Sequence, residues 1–389
     1  MATFINTSLT APSVTKDTFT FNNDSNYFVN ATVGDISRNT ITFGDGSRDQ
    51  VTAAGDISQN TITFGNGGDD NVRALGISKS IITFGNGAFD EVIAGGSIDH
   101  NTITFGDILG VGGDRMLVIG NSSHDRITFG DGFQDSLQVD GSIDHDTITF
   151  GDGVGRDDFS VLTSSSSYDT FTFGNGGSDS VVVDGNSSHD TFTFGDGARD
   201  LLAAGSIDHD TIILGNGDLD VVSVGGSAYD LIIVGNGNFD HITLNSSGTA
   251  IGGDTIVTGT GSDAVQVGAH TNPDTFGLSL GTTGTSFTTI TGAQAGDHVA
   301  VGNSAGIVLT DPNGLGSTLI QAATTATTLA SYITSLGPLT NGDTYVGFNK
   351  DPTVNATFIV TQSGQIGAVE LVGHAFDHNS IAGHFLTLA

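Results

Sequence analysis

The chain has 389 residues, with 43 Asp and Glu against 10 Lys and Arg, a net charge of −33 and no cysteine. So acidic a chain argues against nucleic acid and anionic membrane surfaces as partners, and the lack of cysteine excludes disulfides and thiolate metal sites. No apolar run reaches membrane-spanning length, so no membrane insertion is expected, and Met1 to Thr7 carry no basic or apolar leader.

Residues 1–38 read as an N-terminal cap or degenerate coil, with Asp17-Thr18-Phe19-Thr20-Phe21 as a worn copy of a repeat. From Asn39 that repeat is clear, first as Thr40-Ile41-Thr42-Phe43-Gly44-Asp45-Gly46 and next as Thr61-Ile62-Thr63-Phe64-Gly65-Asn66-Gly67. Its Phe returns at Phe84, Phe105, Phe129, Phe150, Phe173 and Phe194 and softens to Leu214 and Val234, at a period of roughly 21 residues. Each unit holds a Thr-Ile-Thr-Phe strand and a second apolar alternation such as Ser136-Leu137-Gln138-Val139, separated by Gly/Asx turns. Two short strands and two turns make one flattened coil. Successive coils would stack in parallel at about 4.8 Å, each burying its apolar side chains against the next. The expectation is an all-β parallel β-solenoid of about ten two-stranded coils over 39–273, followed by a small mixed domain over 274–389.

Identical positions form columns. After the Phe position stands Gly, then Asx: Asp45, Asn66, Asn86, Asp107, Asp131, Asp152, Asn175, Asp196, Asn216 and Asn236. Gly there suggests backbone at positive φ, which Asx tolerates best among the other residues. A little further on comes an Asp column: Asp49, Asp70, Asp90, Asp135, Asp179, Asp200, Asp220 and Asp240, with Asp114 and Asp157 taking the place in two inserted units. Stacked carboxylates about 4.8 Å apart repel by roughly 1 kcal/mol per pair even in water. Ca²⁺, held between coils by Asp oxygens and turn carbonyls, would compensate; the alternative is that each Asp bonds backbone N–H groups of its own turn.

A second acidic column, Asp125, Asp146, Asp169, Asp190, Asp210 and Asp230, is preceded by Asn39, Asn60, Ser80 and Asn101, so turn capping is expected there. Just before it run Arg38, Gln59, Lys79, His100, His124, His145, Tyr168, His189, His209 and Tyr229. Stacked His could bind a transition metal, but with Tyr, Lys and Arg in the same column a stacking ladder is expected. Outward Thr pairs such as Thr40/Thr42 and Thr61/Thr63 form a further ladder, interrupted by Ile81, Arg126, Ile213 and Ile233. No catalytic constellation stands apart from the columns, so no enzyme is expected; an enzyme on a β-helix would need one non-repeating charged cluster. Ile93, Val118, Val182 and Leu202 are expected to point outward as an apolar strip.

The pattern decays over residues 246–273, leaving Gly253-Asp254-Thr255-Ile256-Val257 and Gly261-Ser262-Asp263-Ala264-Val265 as weak last coils. Beyond them, Thr324 to Leu336 reads as a helix stopped by Gly337-Pro338, and 342–372 as short strands, including 343–348 and 357–360.

The stretch Gly174-Asn175-Gly176-Gly177-Ser178-Asp179-Ser180-Val181 resembles the repeats-in-toxin (RTX) nonapeptide in its first Gly, its Asp and the apolar residue after it, while the second and third Gly positions differ. The resemblance implies a calcium-binding parallel β-roll. At the other end, Ile290-Thr291-Gly292-Ala293-Gln294-Ala295-Gly296-Asp297, Gly342-Asp343-Thr344-Tyr345-Val346 and Val369-Glu370-Leu371-Val372-Gly373 resemble the ends of alphaproteobacterial surface and RTX-like proteins. That likeness implies export by type I secretion machinery to the extracellular space or cell surface. The resulting expectation is a secreted, calcium-dependent structural protein forming a homo-polymer, as a filament or surface layer. The rival is a monomeric binding module, an adhesin or an ice-binder acting through its Thr face.

Overall fold

A computed structural model describes residues 2–301 apart from 109–111, 154–157, 162–164, 246–250, 279–287 and 295, with strand backbone beyond that at 319–321, 344–348, 355–362, 365–372, 381–382 and 385–387. The fold is an all-β parallel β-solenoid of about 12 turns. The chain forms two compact units, Met1–Gly197 and Ala198–Ala389.

In the first unit one coil contains Thr40–Thr42, Gln50–Ala53 and Ile57–Ser58, and the next contains Thr61–Thr63, Asn71–Ala74 and Ile77–Ser78. The third, two-residue strand is an addition to the expected coil; it comes after the Ala54-Gly55 bend and turns Ile57 back into the core. Every segment pairs in parallel with its like: Thr61 with Thr40, Val72 with Val51, Ile77 with Ile57. Residues before 38 coil in the same way, Thr18–Thr20 pairing with both Thr3–Ile5 and Thr40–Thr42.

In-register repetition puts identical side chains directly over one another. Ile41, Phe43, Val51, Ala53 and Ile57 are buried, as are Ile62, Phe64, Val72, Ala74 and Ile77 of the next coil. The rings from Phe43 through Phe194 stack in one file with centroids 4.7–5.1 Å apart. Full burial of each such ring contributes about 1.5–3 kcal/mol.

Two expectations are corrected. The first concerns glycine: among the described residues those at positive φ are Gly112, Gly252, Gly253, Gly292 and Gly296, none from the Gly columns. The columns are glycine because the turns stack backbone on backbone, so that a Cβ on Gly65 would overlap Gly44 and one on Gly67 the carbonyl of Gly46. Positive φ falls instead on the residue before each buried polar column: Arg48 (64°), Asp69 (62°) and Phe89 (67°) before one, and Gln59 (57°), Lys79 (52°) and His100 (57°) before the other.

The second concerns the apolar strip. Val118 and Leu202 are fully buried, and only Ile93 and Val182 of the four face outward, each partly covered. Counting from the column Asp gives the reason, since the second and fourth residues after it point inward and the third points out. Met116 and Val118 therefore enter the core after Asp114, and Leu202 does so after Asp200.

In the second unit Thr211–Ile213, Leu231–Ile233, Thr255–Thr258, Thr275–Leu278 and His298–Val301 pair successively in parallel. Parallel pairing thus runs on past residue 273, as far as Val301. Beyond it Thr344–Phe348, Asn355–Gln362 and Gln365–Val372 form an antiparallel meander, so the short strands expected there are present. Gln365–Val372 also pairs with Thr288–Thr291, and Phe385–Thr387 runs antiparallel to His298–Val301, covering strand edges of the late coils. The helix expected at 324–336 lies outside the described residues. Among the described residues no helix is long and apolar enough to cross a membrane.

Candidate functional site

Asp49, Asp70, Asp90, Asp135 and Asp179 of the first unit, and Asp200, Asp220 and Asp240 of the second, are all buried to within 1%. Asp114 joins them as expected; Asp157 lies outside the described residues. Each sits directly after a corner residue, left-handed at Arg48, Asp69 and Phe89, which swings the side chain under the turn. These carboxylates bond to the neighbouring coil. Oδ1 of Asp70 accepts the backbone N–H of Asp49 at 2.8 Å, Asp90 that of Asp70 at 2.9 Å, Asp114 that of Asp90 at 2.9 Å and Asp135 that of Asp114 at 2.7 Å. In the second unit Asp220 accepts from Asp200 and Asp240 from Asp220, at 3.0 and 2.9 Å.

The other oxygen is left over. Oδ2 of Asp49, Asp70, Asp90 and Asp114, and of Asp220, Asp240 and Asp263 in the second unit, is buried without a hydrogen-bond partner. Burial pushes these carboxyls up, Asp49 to about 6, Asp70 to about 7, Asp90 to about 8, Asp114 to about 7 and Asp220 to about 6, against the backbone N–H bonds that favour ionisation. Asp69, Asp70, Asp90, Glu91 and Arg115 line a cleft of about 390 Å³.

The second acidic column uses the same inter-coil bond but has a further partner. Asp125 accepts from the N–H of Asn101, Asp146 from Asp125 and Asp169 from Asp146, at 2.6, 2.7 and 2.6 Å. There Oδ2 is met by a serine three residues earlier: Ser122 to Asp125 at 3.1 Å, Ser166 to Asp169 at 3.0 Å and Ser187 to Asp190 at 2.7 Å. Where that residue is Ile143, Oδ2 of Asp146 has no partner. The first column has Gly at the matching place (Gly46, Gly67, Gly87), which offers no hydroxyl. At Asp125, Asp169 and Asp190 the difference is thus written three residues upstream of the Asp, a signal that the spacing of the Asp residues alone does not carry. Burial also raises Asp125 to about 6, Asp146 to about 7 and Asp169 to about 8.

The exposed Asx column is a ladder of opposite direction. Asn66 donates its backbone N–H to Oδ1 of Asp45, Asn86 to Asn66, Asp131 to Asp107, Asp152 to Asp131, Asn175 to Asp152 and Asp196 to Asn175, at 2.7–3.1 Å. In the second unit Asn236 donates to Asn216 at 3.1 Å. Either Asn or Asp supplies that acceptor, which is why the column alternates between them.

The rings of His100, His124, His145, Tyr168 and His189 stack at 4.7–5.1 Å, as the column pattern implied. Sequence reasoning missed a buried histidine in the second unit. His270 directs Nε2 at Asp297 Oδ1 and Nδ1 at the Gly268 carbonyl, both at 2.9 Å; although burial works against its charge, these bonds hold its pKa above the ordinary value. It closes the second column, where Asp274 and Asp297 continue the inter-coil bond, Asp274 N–H to Asp297 Oδ1 at 2.9 Å. Irregular coil length after residue 246 hides this from the periodicity.

Among the described residues, ligand atoms come within 4.8 Å in threes at Asp99–His100–His124 and His270–Asp274–Asp297; the first Asp column forms no such group of three. Compared with family models, curated proteins and solved structures, the chain matches none.

Proposed function

We propose that the chain is a secreted structural protein whose first Asp column takes up calcium and whose ordered coils then self-associate outside the cell as a filament or surface layer. The observation that carries the calcium reading is the run of four consecutive coils in which Oδ2 of Asp49, Asp70, Asp90 and Asp114 is buried and unpartnered. A buried carboxylate oxygen needs a proton or a cation. Hard oxygen donors of this kind suit Ca²⁺, and the ion would be held by Asp oxygens of neighbouring coils with carbonyls of the Gly-rich turn. Asp70 and Asp90 are the first choice, since they border the cleft and have Asp69 and Glu91 beside it.

Secretion and assembly rest on the C-terminal resemblance and on the charge of −33, which keeps metal-free chains apart. The test is solution mass by light scattering during a calcium titration, followed by chelator. A chelator-reversible rise to very large mass supports the proposal. A calcium-bound monomer would favour the binding module, for which the in-register pairs Thr40/Thr61 and Thr42/Thr63 supply a regular outward face. Indifference to calcium would overturn the mechanism.

A further inference from the structure

One step of the exposed ring ladder differs from the rest. His100 and His124 are successive imidazoles with centroids 4.7 Å apart and ring planes within 9°. Beside them lies Asp99, whose Oδ1 is 2.7 Å from His100 Nδ1. One ligand atom from each of Asp99, His100 and His124 falls within 4.8 Å of the other two. His124 Nδ1 has only a 3.5 Å approach to Ser123 Oγ, beyond good hydrogen-bonding distance, so this nitrogen has little to lose. All three residues are accessible, and His100 and His124 sit on fixed left-handed corners (φ 57° and 54°), which pre-positions the rings.

Two imidazoles and one carboxylate are the donor set of borderline divalent transition ions rather than of Ca²⁺ or Mg²⁺. We propose that Asp99, His100 and His124 form a surface site for such an ion, with Zn²⁺ as its simplest probe. The next step also has two imidazoles and a carboxylate, Asp144 Oδ1 lying 2.9 Å from His145 Nδ1, but among the described residues its ligand atoms do not gather within 4.8 Å of one another. The steps on either side of these two lack a histidine. Lys79 precedes His100 in the row, and Tyr168 separates His145 from His189. The buried His270 group has three potential donors, but there both ring nitrogens already face acceptors. The site is independent of the Asp columns, so it stands or falls apart from the calcium proposal.

The test is calorimetric titration of the full chain with Zn²⁺ under saturating calcium. It compares the wild type with His124→Asn and His189→Asn; asparagine tolerates the left-handed corner, so both variants keep the coil, checked by circular dichroism. The expected result is one saturable site in the wild type, weakened at least tenfold in His124→Asn and unchanged in His189→Asn. Equal binding by wild type and His124→Asn, equal weakening in both variants, or no saturable binding by the wild type would each overturn the assignment.

Discussion

Asp90 Oδ1 accepts the backbone N–H of Asp70 at 2.9 Å while Oδ2 of both carboxylates lies buried without a partner. One side chain thus performs two tasks, one structural and one left for a ligand, and the two can be separated by mutation. Asp90→Asn keeps an acceptor for Asp70 and removes the charge. It is expected to reduce the stabilisation gained from calcium, and in chelator at about pH 8.5 to be no less stable than the wild type, because no carboxyl has to be kept neutral. Asp90→Ala removes the acceptor as well and is expected to cost about 1–3 kcal/mol by orphaning a buried N–H. Denaturant unfolding with and without calcium measures both; equal calcium response in Asp90→Asn and wild type would count against the column as the site.

Stability without calcium should fall as pH rises. A carboxyl raised above its unfolded pKa binds its proton more tightly when folded, so the stabilisation is complete below the ordinary carboxylate range. It is lost on passing upward through about 6 for Asp49, 7 for Asp70 and 8 for Asp90. Thermal unfolding in chelator is expected at a lower temperature at about pH 8.5 than at about pH 5, and calcium should restore it mainly at the higher pH. A metal-free protein that gains stability on going alkaline would contradict the burial of these groups.

Gly67→Ala is expected to destabilise by about 1–3 kcal/mol or more, since the added methyl overlaps the Gly46 carbonyl one coil below. Gly34→Ala is the control. Its Cβ would meet Pro12 O and Ser13 Cβ at 3.5 Å, an ordinary contact, and little change is expected. Paired urea titrations of the two variants distinguish stacking from backbone conformation as the reason for the Gly columns.

Asn66→Ala is expected to cost about 0.5–1.5 kcal/mol, because the N–H of Asn86 loses its Oδ1 acceptor. Asn66→Asp keeps that acceptor but gives up the Nδ2 bond to Asp45 Oδ1 and sets two carboxylates over one another, so a smaller loss than in Asn66→Ala is expected, one that salt reduces. Melting curves of the two variants at fixed calcium decide the matter.

The coil and its core were legible because a repeated phrase dictates like-on-like pairing: Ile41 under Ile62 and Phe43 under Phe64 need no more than a period. What was not legible depends on the third dimension. Glycine at positions 65 and 67 reads as a conformational choice when the neighbouring coil is out of view. Val118 and Leu202 lie inward because the strand's alternation is set by its buried Asp, whose position under the turn the sequence does not show. The two Asp columns look alike along the chain, and only the pairing of Ser122 with Asp125, against Gly67 before Asp70, distinguishes a satisfied carboxyl from an unsatisfied one.

The two Asx ladders run in opposite senses. Asp70 lends its carboxyl to the coil before it, through Asp49, while Asp45 lends its own to the coil after it, through Asn66. Every interior coil therefore both gives and receives at each junction, and it does so with residues of the same kind as its neighbours'. Excising one whole period, such as residues 61–80 of the first unit, would rejoin matching donors and acceptors across the cut. Nothing in the bonding of such an array fixes how many coils it holds. Lineages can lengthen or shorten it by whole units without inventing a new contact, and selection on its size can act through the gene's repeat number alone.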